Sequence, residues 1–295
     1  VDNRFYPSPY VGDLEDLRTV KALKETIGRL ETLLEVQPEV VVCDLHPKYN
    51  STVVAQELGL PVLKVQHHYA HILSCMAEND CEEKVIGVSF DGTGYGTDGT
   101  IWGGEILIAD HQGFTRLGSI QPFVQVGGDV SAKEGWRIAV SLIWQNTGDL
   151  EKTLDTVQKL GLCTEQEAKV LVTMAQRKLN AVTSTSAGRL FDGVSAILGI
   201  RRASTFEGEA STALEFAAEA WRAQEIHKKN VDIVSGERTD IKRNVETTGA
   251  DEKPETGNRK IILNTGDIVA HLVRSRLAGE DPGKRAYGFH RALAG

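Results

Sequence analysis

Cysteine is scarce in this chain. Cys43, Cys75, Cys81 and Cys163 are the four present in 295 residues, and no two form a Cys-x-x-Cys pair. That excludes zinc-ribbon spacing and favours reduced thiols over a disulfide scaffold, the pattern of a soluble cytoplasmic protein. Positive charge is in deficit, with 33 Lys+Arg against 41 Asp+Glu and a net charge of -8. A nucleic-acid platform normally leaves a basic footprint, so no nucleic-acid partner is expected. No apolar run approaches the ~20 residues that a spanning helix needs. The opening Val1-Asp2-Asn3-Arg4 carries no signal-peptide apolar core, and no membrane partner is expected. An initiator methionine, internal repeats and long low-complexity tracts are missing too; the first of these absences suits a piece of a longer protein. What remains is enough chain for one large or two ordinary domains.

Histidine, by contrast, is concentrated. Three of the eight histidines fall within five residues of Lys64-Val65-Gln66-His67-His68-Tyr69-Ala70-His71. Residues 60–65 read as a short buried strand and 70–78 as the helix that follows. If that helix begins near His67 or His68, then His67 and His71 lie four residues apart on one face. Two imidazoles so placed can hold one metal ion at about 2.0 Å. The same spacing also suits capping or packed histidines at a strand-helix junction. No glutamate stands between the two histidines, so the zinc-peptidase mechanism lacks its base.

Along the rest of the chain, Leu17, Val20, Leu23, Ile27, Leu30 and Leu34 recur every three or four residues and predict an amphipathic helix over 13–35, ended by Pro38. Val40-Val41-Val42-Cys43 predicts a strand buried on both faces of a parallel sheet. It runs into Asp44-Leu45-His46-Pro47, just past a strand's carboxyl end, where open α/β sheets place ligands. Asn50 or Ser51 is expected to cap the next helix, which Gly59 closes, while His46 stands out as more than a cap.

A buried strand over 84–90 then delivers Asp91-Gly92-Thr93-Gly94-Tyr95-Gly96-Thr97-Asp98-Gly99, and 101–109 reads as the returning strand. Glycines in such a turn let backbone N–H groups approach phosphate oxygens, and a carboxylate can hold a metal or water. A plain hairpin with a long turn is the other reading. No Gly-Lys-Ser/Thr follows, so this is not a Walker loop.

Beyond a strand at 114–120 helices dominate. Residues 132–145 carry Trp136 and Trp144 as core, and Thr164 with Glu167 forms a capping box for a helix through Leu179 that packs Val170, Leu171, Met174 and Ala175. Thr183-Ser184-Thr185-Ser186 and Gly188 precede another helix, and a further one is expected over 212–227. Residues 228–259 are charged and poor in apolar side chains, as an exposed loop would be. A strand at 261–263, a helix at 267–277 and the start of another at Ala286 finish the chain.

Several of these segments, in this order, carry a resemblance. Gly12-Asp13-Leu14, Cys43-Asp44-Leu45-His46-Pro47, Val65-Gln66-His67-His68-Tyr69-Ala70-His71, Asp91-Gly92-Thr93-Gly94-Tyr95-Gly96, Trp102-Gly103-Gly104-Glu105, Thr185-Ser186-Ala187-Gly188-Arg189-Leu190-Phe191-Asp192 and Phe289-His290 together resemble the carbamoyltransferase region of the hydrogenase maturation factor HypF. The resemblance implies an α/β, actin/sugar-kinase-like (RNase H-like) two-lobe fold with helical insertions, incomplete at both ends. Residues 1–84 would be the remainder of the first lobe. Residues 85–295 would start the second, with the helical insertion and the charged loop 228–259.

The implied reaction forms carbamoyl adenylate from carbamoyl phosphate and ATP. The carbamoyl group then passes to the C-terminal cysteine thiol of the partner HypE, on the way to the cyanide ligands of the nickel-iron hydrogenase centre. Position by position, His67, His71 and Asp91 match the family's metal ligands, iron or zinc, with magnesium a further candidate. Gly92, Thr93, Gly94 and Gly96 would lie against nucleotide phosphates, Gly188 would stand at a helix start beside them, and Asp192 and Glu207 would contact the ribose. His46 or His68 is the candidate for proton transfer.

The relatives' upstream acylphosphatase, zinc-finger and adenylate-forming modules have no counterpart here. The chain also stops before the family's Gly-Gly-Val-x-x-Asn segment and last metal-binding Asp. We therefore expect weak metal and nucleotide binding and no synthesis of carbamoyl adenylate by this polypeptide alone. The competing readings are an inactive partner-binding fragment and a relative acting in tRNA threonylcarbamoyladenosine formation.

Overall fold

A computed structural model describes residues 4–235 and 260–294. The first helix, α1 (Leu17–Leu34), starts where Asp16 accepts from the Arg18 N–H and ends where Glu35 turns left-handed at φ 53°. Strands β1 (Val41–Asp44) and β2 (Val62–Val65) pair in parallel, with α2 (Asn50–Glu57) crossing between them. Their apolar run predicted cover on both faces. Instead Val42 and Leu63 are 57% and 56% exposed, because among the described residues this sheet has only two strands and α2 is the helix packed on β1. Neither Asn50 nor Ser51 caps α2. Tyr49 holds the cap position without a side-chain bond, and the Asn50 amide donates instead to the Leu14 carbonyl.

Helix α3 (His67–Glu78) follows β2 directly. It lies on a second sheet formed by the antiparallel meander β3 (Val85–Tyr95), β4 (Ile101–Asp110) and β5 (Gly113–Ile120). Ile72 and Met76 of α3 pack there on Trp102, Leu107 and Ala109. β3 is longer than the sequence predicted: the glycine segment is not a free turn but continues the strand. The pairing shifts register between Phe90 and Gly94 and resumes at Gly94 opposite Trp102. Asp91, Gly92 and Thr93 therefore occupy a β-bulge, a device that re-aims a side chain out of the regular pleat.

The sheet is extended by β6 (Phe123–Val126), which the sequence reading missed. Helices α4 (Val130–Lys133), α5 (Gly135–Thr147), α6 (Leu150–Leu160) and α7 (Glu165–Arg177) follow, then β7 (Ala181–Ser184), antiparallel to β6 and parallel to β4 at its start. The capping box on α7 is present as expected, with Thr164 and Glu167 exchanging bonds. Val170, expected inside, is 48% exposed, because Ala168, Leu171, Val172 and Ala175 already fill the inward stripe.

Helix α8 (Ala187–Ile197) is capped by Ser186, and α9 runs Glu209–Ser235, so 228–235 are helical where a loop was expected. The remainder of the charged stretch, 236–259, lies outside the described residues. Strand β8 (Ile261–Leu263) joins β5 in parallel, and α10 (Thr265–Leu277) and α11 (Pro282–Ala294) complete the fold. Ile138, Ile143, Leu171, Leu190, Ile197, Leu214, Leu272 and Phe289 are nearly inaccessible at the centre of this helical layer. Burying side chains of this size contributes about 1.5–3 kcal/mol each.

Candidate metal centre

Three separate elements converge at the start of α3. Strand β1 carries Asp44 at its end, and β2, beside it in register, ends at Val65. Gln66 then caps α3: its Oε1 accepts from the Tyr69 N–H at 2.9 Å, so that His67 is the first helical residue. His71 follows one helical turn later. From the other sheet, the β3 bulge brings in Asp91.

The two ring nitrogens of His67 face two different carboxylates. Nδ1 lies 2.7 Å from Asp44 Oδ2, and Nε2 lies 2.9 Å from Asp91 Oδ2. His71 Nε2 is 3.3 Å from His67 Nε2 and 4.0 Å from Asp91 Oδ2. His67, His71 and Asp91 thus each offer one donor atom within 4.8 Å of the others. A tetrahedral ion with bonds of about 2.1 Å has edges of about 3.4 Å. The three observed separations bracket that length. Two imidazoles and a carboxylate suit zinc or ferrous iron, so the residues present fit the implied metal.

The electrostatics agree with closely coupled groups. The hydrogen bond that His67 donates to Asp91 raises His67 to about 9; burial opposes this and the bond to Asp44 reinforces it. Burial pushes the Asp91 carboxyl up, but the bonds from His67 and the Gly92 N–H outweigh it and hold Asp91 at about 2. A metal ion must displace the His67 proton, so affinity is expected to climb as pH rises toward about 9.

Without metal the opposite dependence follows. The raised value of His67 stabilises the fold fully below its ordinary value of 6.5, and that stabilisation is lost as pH rises through about 9. The metal-free protein should therefore melt at a higher temperature at about pH 6 than at about pH 9.5. His67→Gln should shrink that difference, and an unchanged difference would show that other groups set it.

His68 is fully inaccessible, and burial, followed by the neighbouring His67, lowers it to about 4. Its Nδ1 lies 3.2 Å from the Gln66 amide nitrogen, which also donates to the Tyr95 carbonyl. Since Gln66 Oε1 is committed to the helix cap, Nδ1 is the acceptor and the His68 proton resides on Nε2. His46 stacks on Tyr49 at 3.9 Å with Tyr95 edge-on at 5.1 Å; its backbone N–H donates to Asp44 Oδ1, and its ring Nδ1 accepts from the Lys48 N–H at 3.2 Å.

The glycines serve close packing. A Cβ on Gly94 would fall 2.4 Å from the His68 ring, and one on Gly96 2.3 Å from the Trp102 indole. A Cβ on Gly188 would fall 2.8 Å from Gly92 Cα, so the start of α8 lies directly on the bulge. Ser186 fastens it there by donating to the Gly92 carbonyl at 2.6 Å. Thr93 shares the bulge. Asp192 is 2% exposed, with Arg189 Nε at 2.8 Å; burial raises it to about 6 against the pull of that charge. Glu207 is exposed, whereas its neighbour Glu209 is buried, accepting from Thr205 and pairing with Arg201.

The sequence reading missed Asp44 and Gln66. A signal existed for Asp44, a carboxylate at the carboxyl end of an apolar strand. For Gln66 it was the polar residue just before a helix.

Two family models match the chain. One, described as the HypF Kae1-like domain, matches residues 1–78. The other, described as the carbamoyltransferase, Kae1-like domain, second subdomain, matches residues 87–295. The probable carbamoyltransferase HypF of Methanocaldococcus jannaschii is 36% identical over 225 residues, covering 75% of this chain and 29% of that protein. Carbamoyltransferase HypF of Synechocystis sp. is 40% identical over 227 residues, covering 72% and 29%.

The crystal structure of full-length HypF in the phosphate- and nucleotide-bound form superposes with a TM-score of 0.77 at 30% identity, covering 96% of this chain and 34% of that one. The T. kodakarensis HypF structure gives 0.76 at 27%, covering 98% and 35%. The chain therefore spans about a third of the solved HypF chains and 29% of the first two relatives. With family models covering nearly its whole length and a fold shared with HypF, the chain belongs to the HypF carbamoyltransferase family.

Proposed function

We propose that this chain is the carbamoyl-transfer region of a nickel-iron hydrogenase maturation protein. It passes the carbamoyl group of carbamoyl adenylate to the C-terminal cysteine thiol of HypE, in the cytoplasm. The observation that carries the reading is the meeting of His67, His71 and Asp91 beside the glycine bulge and the start of α8. Residues 1–84 and 85–295 would belong to the two lobes, with nucleotide held between them. Among the described residues no helix is long and apolar enough to cross a membrane.

In the transfer, the acceptor sulfur forms a bond to the carbamoyl carbon while the bond from that carbon to the phosphate oxygen breaks and AMP leaves. The chain's part is to hold and shield the reacting groups. His67, His71 and Asp91 would hold the iron or zinc ion, which when bound supplies Lewis-acid polarisation and offsets phosphate charge. The α8 N-terminus, which Ser186 and Gly188 hold against Gly92, would offer N–H groups to a phosphate placed beside Gly92 and Thr93, while Gly94 and Gly96, packed on His68 and Trp102, would shape the bulge. Asp192 would act on the ribose through its grip on Arg189, and Glu207 from the exposed turn before α9.

His46 is partly accessible, so it is better placed than the enclosed His68 to take the thiol proton, which would replace the Lys48 N–H at its Nδ1. His68 would serve by fixing the ring packing next to the ion. Magnesium would accompany ATP.

The reading is tested by giving the purified chain synthetic carbamoyl adenylate and HypE. The outcome sought is one added carbamoyl group on the C-terminal cysteine, seen by mass spectrometry. Capture of HypE without transfer would instead leave a partner-binding fragment.

A further inference from the structure

We propose that Asp44 is the positioning residue of the candidate centre, fixing His67 so that Nε2 is its metal-binding nitrogen; this rests on the metal reading above. A histidine ring has two broad orientations about its terminal torsion. Turning it over exchanges Nδ1 with a carbon, and Nε2 with a carbon as well. In one orientation the ring presents nitrogen to Asp91 and His71; in the other it presents a C–H group. The choice between them must be made by whatever touches the opposite edge.

Asp44 touches that edge, with Oδ2 2.7 Å from Nδ1. The nitrogens of an imidazole diverge, so a carboxylate bonded to Nδ1 cannot share an ion bound at Nε2. The donor cluster accordingly holds Asp91 and not Asp44. Nor can the Asp44 carboxylate swing away easily. Its Oδ1 accepts from the His46 N–H at 2.8 Å, and its side chain is 16% exposed. The Leu45 N–H donates to the Val65 carbonyl at 2.9 Å, locking the exit of β1 to the residue before Gln66. Asp44 is thereby anchored to the same backbone that starts α3. A carboxylate accepting from the far nitrogen also makes the near one a better donor, and losing such a partner typically costs 10–100-fold in affinity.

The test is titration of zinc(II), and in parallel cobalt(II), into the purified wild-type chain and into Asp44→Asn, Asp44→Ala and Asp91→Ala variants. The asparagine keeps the shape and an acceptor oxygen, which guards against a folding artefact. We expect both Asp44 variants to bind one ion with the wild-type cobalt absorption spectrum. Asp44→Asn should bind about 10-fold and Asp44→Ala about 100-fold more weakly, whereas Asp91→Ala should change the spectrum itself.

An Asp44→Ala affinity equal to wild type would overturn the positioning role alone. A spectrum altered as in Asp91→Ala would also overturn it, by making Asp44 a ligand. No zinc or cobalt uptake by wild type would remove the metal reading and this inference together.

Discussion

Replacing both His67 and His71 by alanine is expected to abolish binding of divalent metal by the purified chain while leaving the fold intact. The two imidazoles supply two of the three donors, and the remaining carboxylate of Asp91 cannot hold zinc or iron against water alone. The cost in stability should be small at about pH 9.5 and larger at about pH 6, where the charged His67 ring bonded to Asp91 and Asp44 is lost. His71 is 57% exposed and His67 30%, so neither truncation opens a large cavity. Asp91 would lose the partner that holds it at about 2, and its burial would then push it upward. Equilibrium dialysis against zinc and iron, with and without ATP, beside a circular dichroism melt, separates the two effects. Equal metal in wild type and double variant, with unchanged melts, would sink the assignment and mark the histidines as packing residues.

The largest loss of stability is expected from Glu105→Ala. Glu105 is fully inaccessible and gathers donors from four directions. Its Oε1 accepts from the Gly103 and Gly104 N–H groups at 3.2 and 3.4 Å and from the Thr185 hydroxyl at 2.5 Å, and its Oε2 from Arg116 Nε at 2.7 Å. Arg116 in turn lies over the Trp102 ring at 4.1 Å and reaches Asp98 at 3.1 Å. Removing the carboxylate leaves a largely buried guanidinium and two backbone donors short of partners, a loss of about 3–5 kcal/mol. Glu105→Gln keeps acceptor capacity but not the charge and should cost less, about 1–3 kcal/mol. Denaturant unfolding of both variants would show this order. An alanine variant as stable as wild type would mean that water or Asp98 replaces the carboxylate.

The local features of the site were legible, the long-range ones were not. His67 and His71 share a face because an α-helix repeats every 3.6 residues, a rule that needs no tertiary knowledge. The Thr164–Glu167 capping box was readable for the same reason: both bonds close within one turn. Asp44, in contrast, meets His67 across 23 residues of chain, through the register of β1 on β2, and no local periodicity encodes that pairing. The bulge at Asp91 was hidden because a glycine-rich stretch reads equally as a turn or as a strand that must pass close to its neighbours. Only the meeting with His68 and Trp102 decides it. The exposure of Val42 and Leu63 was unreadable because an apolar run specifies a wish for cover but not its supply.

The way the three donors are distributed along the chain bears on how metal and folding are linked. His67 and His71 travel together, four residues apart, and an unfolded chain still offers them as a loose pair. Asp91 joins them only when the β3 bulge is docked on α3. The carboxylate is thus where folded and unfolded chains would differ in affinity, and it would convert metal concentration into conformational stability. By mass action an ion at 100 times its dissociation constant adds about 2.7 kcal/mol if the unfolded chain does not bind it, and less to the extent that the histidine pair alone competes. The centre would therefore act as a clasp whose strength is set by the supply of metal, fastening α3 to the β3 bulge as the ion becomes available.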